Sequence, residues 1–286
     1  MCCFYRFRPS LLPTPTLVSL FLHSLMSKEE SQMPFLAHLE ELRWRLVKIA
    51  IVILVLGSVI WTFQQPIMEN VFLSMKSPDF PTFHIMCKYL DVCVDKISID
   101  MQSMTMMGQF SYSLMMSAIG GVIIGFPFIF HQLWSFVKPG LKQNEKSLAK
   151  GVIFYVSILF FLGVAFGYFI LAPLCVQFFG NYKISPEIKN DFTVNSYLST
   201  IMSTVFYSGI LFLLPVISLL LTKVGVITSA FLKKYRKHSI VGVLILSALI
   251  TPPDLISQVI VAIPIAILYE IGIMVSVRAE KRRVKT

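Results

Sequence analysis

Two carboxylates in this chain stand beside basic residues at the edges of apolar sequence. Glu41 lies in His38–Ile60, HLEELRWRLVKIAIVILVLGSVI, directly ahead of an unbroken apolar run and four residues before Arg45. Glu145 is the one acid of the loop 131–150, set among Lys138, Lys142, Lys146 and Lys150. Two kinds of chemistry suit acids so placed. Each can pair on a helix surface with a neighbouring base, Glu41 with Arg45 and Glu145 with Lys142 or Lys146, for about a few tenths of a kcal/mol. Alternatively the two converge on a cationic ligand, each gripping a guanidinium through two parallel hydrogen bonds, a fork that lysine matches poorly. Spacing alone favours the local pairs.

Other chemistries lack their residues. In GLKQNEKS, Gly140–Ser147, Glu145 occupies the place where a phosphate loop needs its second glycine, and no strand precedes it. His23, His38, His84, His131 and His238 are scattered singly, and neither an HExxH pair, a GxSxG elbow nor CxxC metal spacing is present. The expectation is a protein that is not an enzyme, with no metal site and no cofactor.

The elements that position these acids belong in a bilayer. A chain of 286 residues that is 56% hydrophobic and 14% charged leaves too little polar surface for a water-soluble domain. Six apolar segments are marked: Val47–Phe63, Gly108–Phe130, Gly151–Leu174, Tyr197–Leu221, Ser239–Ile250 and Leu255–Val277. Each is expected to be a helix, because backbone amides in lipid bond within their own segment. The stretches 27–48, 131–150, 222–238 and 278–286 hold 18 of the 25 lysines and arginines, whereas 64–107 and 175–196 hold 5. The net charge of +10 is therefore read as an orientation signal, not as a nucleic-acid surface. By the positive-inside rule both termini face the cytoplasm. Residues 1–33 read as an N-terminal extension without a fold of its own, or as a mis-assigned start with Met26 the true one, because Pro13 and Pro15 interrupt an apolar stretch too short to cross. Residues 34–277 form the membrane domain and 278–286 a basic tail. Cys87 and Cys93 share the first outward connection, where an oxidising compartment allows a disulfide and equally allows two free thiols.

The fifth segment is short. Ser239–Thr251 rises about 20 Å as a helix, well under the thickness of the hydrocarbon core. TPPD, Thr251–Asp254, must turn the chain, since its prolines cannot continue a helix. If the sixth segment then runs antiparallel to its neighbour, it returns to the starting level near residue 268. Glu270 would then lie in the interface and not in hydrocarbon, beside a locally thinned bilayer.

Three stretches in order, FLAHLEELRWRL, FPFIFHQLWSFVKPGLKQNEK and TPPDLISQVIVAIPIAILYEIGI, together resemble TatC, the receptor subunit of the twin-arginine protein translocase. The resemblance implies an all-α polytopic membrane protein, six helices in a cupped bundle with the last two short. It implies that Glu41 and Glu145, with Arg43, Arg45 and Phe136, form a cytoplasmic surface for the paired arginines of a signal peptide. Pro66 matches a family proline of the outer loop, and Asp254 and Gln258 fall near a partner-contacting part of the last hairpin. Implied partners are twin-arginine signal peptides of folded cargo, small single-span proteins resembling TatA or TatB, and further copies of the chain in a receptor complex. The implied setting is the cell inner membrane, with the proton-motive force as energy source. One departure stands out: family members often place Glu or Gln two residues before the proline of the fourth crossing, where FLLPV has Leu213. Ser203, Thr204, Tyr207 and Ser208 could supply polar contacts nearby or could simply satisfy backbone carbonyls. A secondary transporter for a small solute is the main rival reading, but internal repeats and mid-membrane acids are not apparent. A membrane scaffold without transport would leave Glu41 and Glu145 dispensable.

Overall fold

The computed structural model describes residues 35–77, 80–90, 101–137, 149–185, 187, 191–224, 227–250 and 255–284. The expected extension 1–33 lies outside them. Two compact units are present, Met1–Val47 and Lys48–Thr286. In the first, the described residues 35–47 are the opening turns of α1 (Phe35–Thr62). This helix begins well ahead of the apolar start expected at Val47. HLEELRWR contains no breaker, and its opposite charges sit three and four residues apart, where they support a helix.

After α1 come α2 (Gln64–Ile67), a π-helical turn (Met68–Phe72), a 3₁₀ turn (Leu73–Lys76) and α3 (Pro81–Leu90). β1 (Met101–Gln102) leads to α4 (Gly108–Val137), which outruns its expected end at Phe130. α5 (Ala149–Phe166), a π turn (Gly167–Leu171) and α6 (Ala172–Asn181) follow one another without a gap, past the expected end at Leu174. β2 (Phe192–Thr193) precedes α7 (Val194–Leu211), whose start is capped by Thr193 Oγ1 accepting from Ser196 N at 3.2 Å. The fourth apolar segment breaks at Phe212–Leu213 and resumes as α8 (Leu214–Val224). Pro215 explains the break, since it lacks an N–H and its ring clashes with the carbonyl four residues back. Then come α9 (Ser229–Lys234), α10 (Arg236–Ile250) and α11 (Leu255–Val284).

Five stretches of helix are long and apolar enough to cross a membrane among the described residues: His38–Thr62, Gly108–Phe136, Gly151–Asn181, Val194–Thr222 and Gln258–Arg278. α10, the fifth expected segment, is not one of them. Its 15 residues rise about 22 Å.

Helices in lipid gain little from hydrophobicity on meeting one another, so close packing has to hold them. Glycines provide it at two crossings. A Cβ on Gly121 of α4 would lie 2.9 Å from Ile53 O and 3.1 Å from Gly57 N of α1. A Cβ on Gly163 of α5 would lie 2.8 Å from Ser208 O of α7 and 2.7 Å from Phe212 Cβ. At the second crossing Ser208 Oγ also donates to Gly163 O at 2.9 Å. α11 packs along α8 and beside α10.

The described parts of the connection 64–107 pack against the helices. Phe72, Met75, Phe80 and Phe83 are buried with Tyr197, Leu198, Ile201 and Val205 of α7. Tyr197 Oη donates to Phe72 O at 2.7 Å and Tyr168 Oη to Val71 O at 2.9 Å. β1 and β2 pair in parallel, Met101 opposite Phe192 and Gln102 opposite Thr193. No strand is expected from the sequence here. Two residues are too few to show an alternating pattern.

α10 and α11 form an antiparallel hairpin. Gln258 Nε2 donates to Leu244 O at 3.2 Å and Arg236 pairs with Glu270, while Tyr269 Oη donates to Leu232 O of α9 at 2.9 Å. Glu270 thus lies level with Arg236, at the basic foot of α10, where equal depth of the two helices puts it.

Substituting Gly163 by alanine should destabilise the chain by about 1–3 kcal/mol, because the new methyl meets backbone and cannot be accommodated by a rotamer change. At Gly242 of α10 an added methyl would have nothing within 4 Å, so alanine there should be neutral or stabilising by up to about 1 kcal/mol. Apparent melting temperatures of both variants in detergent, against the unaltered chain, check the contrast.

Candidate functional site

The acids that open α1 are engaged on their own helix. Glu40 Oε1 accepts from Arg43 Nη2 at 2.6 Å and from Trp44 Nε1 at 3.1 Å. Glu41 Oε1 accepts from Arg45 Nε at 3.0 Å and Nη2 at 2.5 Å. The second pair is the more withdrawn, with side-chain exposure of 28% for Glu41 and 21% for Arg45, against 53% and 65% for Glu40 and Arg43. Both N–H groups of Arg45 fall on one oxygen, so the contact is not the two-oxygen fork of an ideal guanidinium pair. Oε2 of Glu41 faces His38 Nδ1 at 3.8 Å. The arrangement can hold a guanidinium, and Arg45 already supplies one. The helix-surface pairing that the spacing favours is therefore present.

Glu145, Asp254 and Cys93 lie outside the described residues. Phe136 is half-buried in the last turn of α4. Pro66 is exposed in α2, and its carbonyl accepts from Asn70 Nδ2 at 3.0 Å. Gln258 joins the α10–α11 hairpin through Leu244. Cys87 is disulfide-bonded.

The FPFIFHQLW stretch does structural work that the sequence does not reveal. Phe126, Phe130 and Trp134, four residues apart, stack along one face of α4 with centroids 6.1 Å apart at each step. Phe126 lies flat on Phe160 of α5 at 3.7 Å. Trp134 is buried, and its Nε1 has no acceptor among the described residues. Period-four aromatics were the available signal, although core packing and ligand contact give the same pattern.

Leu213 sits in the break between α7 and α8. Of the polar residues near it, Ser203 Oγ donates to Thr200 O at 3.1 Å, Ser208 bridges to α5, and Thr204 is buried. Tyr207 is 51% exposed. The serines thus satisfy carbonyls, and the tyrosine alone of the four faces outward.

A family model described as Sec-independent protein translocase protein (TatC) matches residues 37–264. The chain belongs to the TatC family. It is 35% identical over 266 residues to the Sec-independent protein translocase protein TatC of Blattabacterium sp. subsp. Periplaneta americana (strain BPLAN), covering 90% of this chain and 100% of that one. It is 30% identical over 256 residues to TatCy of Bacillus subtilis (strain 168), covering 90% and 93%. A crystal structure described as the twin arginine translocase receptor TatC superposes with a TM-score of 0.63 at 30% identity, covering 85% of this chain and 99% of that one. The chain is accordingly a non-enzymatic component of the Sec-independent protein translocase, an all-α polytopic membrane protein. Membership removes the small-solute transporter from consideration.

Replacing Trp134 by phenylalanine keeps the ring stack and deletes a buried donor that has no acceptor among the described residues. Its melting temperature in detergent should equal or exceed that of the unaltered chain, since an unmet buried donor costs about 1–3 kcal/mol. Glu41→Gln should leave the melting temperature in detergent nearly unchanged, as expected of a helix-surface pair.

Proposed function

We propose that this chain is the receptor that recognises twin-arginine signal peptides, with Glu41 and Glu145 as the carboxylates that bind the paired guanidinium groups. The observation that supports this most is the geometry at Glu41. A half-withdrawn carboxylate already carries a guanidinium from Arg45, so its surroundings tolerate the charge and hydrogen bonding that a signal arginine brings. An incoming arginine takes Oε2 beside His38, or displaces Arg45 from Oε1. Exchange of one guanidinium for another costs little desolvation, because the carboxylate is paired before and after. Arg43, Arg45 and Phe136 are the further residues assigned to signal-peptide binding.

In this reading all six helical segments cross the membrane, α10 as a short span, and both termini face the cytoplasm of the cell inner membrane. Once the arginines are docked, the apolar part of the signal inserts along the bundle. TatA- and TatB-like single-span proteins are then recruited near Pro66, Asp254 and Gln258, with several copies of the chain in one receptor complex and the proton-motive force driving export. Cys87 pairs with Cys93 on the outer side. The solved relative's description as a receptor supports the assignment.

A twin-arginine peptide carrying a photocrosslinker, offered to membranes holding the chain, should label it. Glu41→Ala and Glu145→Ala should each reduce labelling severalfold, since each removes the charged acceptor proposed for one of the paired arginines. Full labelling in the double variant would remove the mechanism. A thiol placed at Glu270 should react with a membrane-impermeant reagent from the cytoplasmic side only, and protection there would count against the short fifth span.

A further inference from the structure

The end of α9 and the start of α10 carry charges of which the bundle uses only one, Arg236. Lys233, Lys234, Arg236, Lys237 and His238 are all exposed. The acids within reach are committed elsewhere. Glu270 is paired with Arg236, and Glu280 Oε2 accepts from Ser229 N at 3.1 Å, holding the start of α9 to α11. Among the described residues no carboxylate forms an ion pair with Lys233, Lys234 or Lys237. Beside them Phe231 and Tyr235 are exposed at 48% and 38%, with ring centroids 4.4 Å apart, and Tyr235 also lies 5.5 Å from His238. We infer that this patch binds the headgroup of an anionic phospholipid, with Lys233, Lys234 and Lys237 on the phosphate and the Phe231–Tyr235 ring pair against the glycerol and upper acyl chains.

Position argues for lipid over a soluble anion. Glu270, level with Arg236, comes eight residues before Arg278, where the long apolar span of α11 ends; this is about 12 Å along the helix axis. The lysines therefore stand on the membrane side of the level at which the neighbouring apolar span ends, at the height of a headgroup drawn toward a short helix. Aromatic rings with one wet edge favour the same layer. Lysine suits the task, as a compact charge with rotatable donors on a stem that can lie along apolar surface. The inference rests on the membrane placement of α10 and is independent of signal-peptide binding.

The test uses the full chain, delipidated in detergent and offered phosphatidylglycerol or phosphatidylcholine with identical tails, with bound lipid counted by native mass spectrometry. The unaltered chain should retain phosphatidylglycerol preferentially, and raised salt should abolish the preference. At about fivefold per lysine, the triple variant Lys233→Gln, Lys234→Gln, Lys237→Gln should bind it roughly a hundredfold more weakly. The corresponding triple Lys→Arg variant should keep the preference. Equal retention of the two lipids by the unaltered chain, a preference unmoved by salt, or a preference surviving in the glutamine variant would overturn the inference. So would displacement of the lipid by inorganic phosphate at equal concentration, which marks a general anion site, or by an acidic peptide, which assigns the patch to a protein partner. The salt arm needs no variant to fold. Signal-peptide crosslinking should be unaffected in the glutamine variant, which separates this result from the receptor reading.

Discussion

Backbone meeting backbone at two glycine crossings is the contact on which the rest of this molecule depends. Inside a bilayer an apolar side chain is as well solvated by lipid as by another helix, so association rests on dispersion and on the few hydrogen bonds that close approach permits. Gly57 with Gly121, and Gly163 with Ser208, bring peptide planes to distances that no side chain would tolerate. At the second crossing the proximity also lets a serine hydroxyl reach a carbonyl of the facing helix. Between the two seams the flat Phe126–Phe160 stack joins α4 to α5, on the α4 face that carries Trp134.

Charge at the basic loops is handled in one recurring way. Each described acid near them is given a partner from the chain itself: Glu40 with Arg43, Glu41 with Arg45, Glu270 with Arg236. In the proposed receptor this sets the character of recognition. A ligand arginine competes with a resident arginine for nearly the same hydrogen bonds, so the net gain is a difference of two similar terms. Such a site favours selectivity for paired arginines over raw tightness, because one guanidinium alone barely improves on what is already there.

Much of this architecture is legible in the sequence, for identifiable reasons. The apolar segments are unmistakable because hydrocarbon permits only helices, and the shortness of Ser239–Ile250 together with TPPD specifies the hairpin that Gln258 and Glu270 tie. Helix limits are less legible. Phe35 and Val137 lie beyond the apolar stretches, in sequence whose helicity comes from paired charges and stacked aromatics and not from hydropathy. The π turns at Met68–Phe72 and Gly167–Leu171 have no compositional signature, and the β1–β2 pair depends on residues some ninety positions apart. At the site, Glu41 and its base are visible as an i, i+4 spacing. The role proposed for Glu145 comes only through family likeness, since a lone acid among lysines looks the same whether it serves a ligand or a neighbour.

The two tyrosines that hold consecutive carbonyls, Tyr168 on Val71 and Tyr197 on Phe72, come from separate helical stretches and grip one short turn between them. They act as a clasp: prising those stretches apart at that end means breaking both bonds in a dry aromatic setting. The opposite end is fastened by wet, salt-sensitive pairs such as Arg236 with Glu270. Fastening thus differs between the two ends: two carbonyl bonds set among aromatics at one, and an exposed ion pair that salt would weaken at the other.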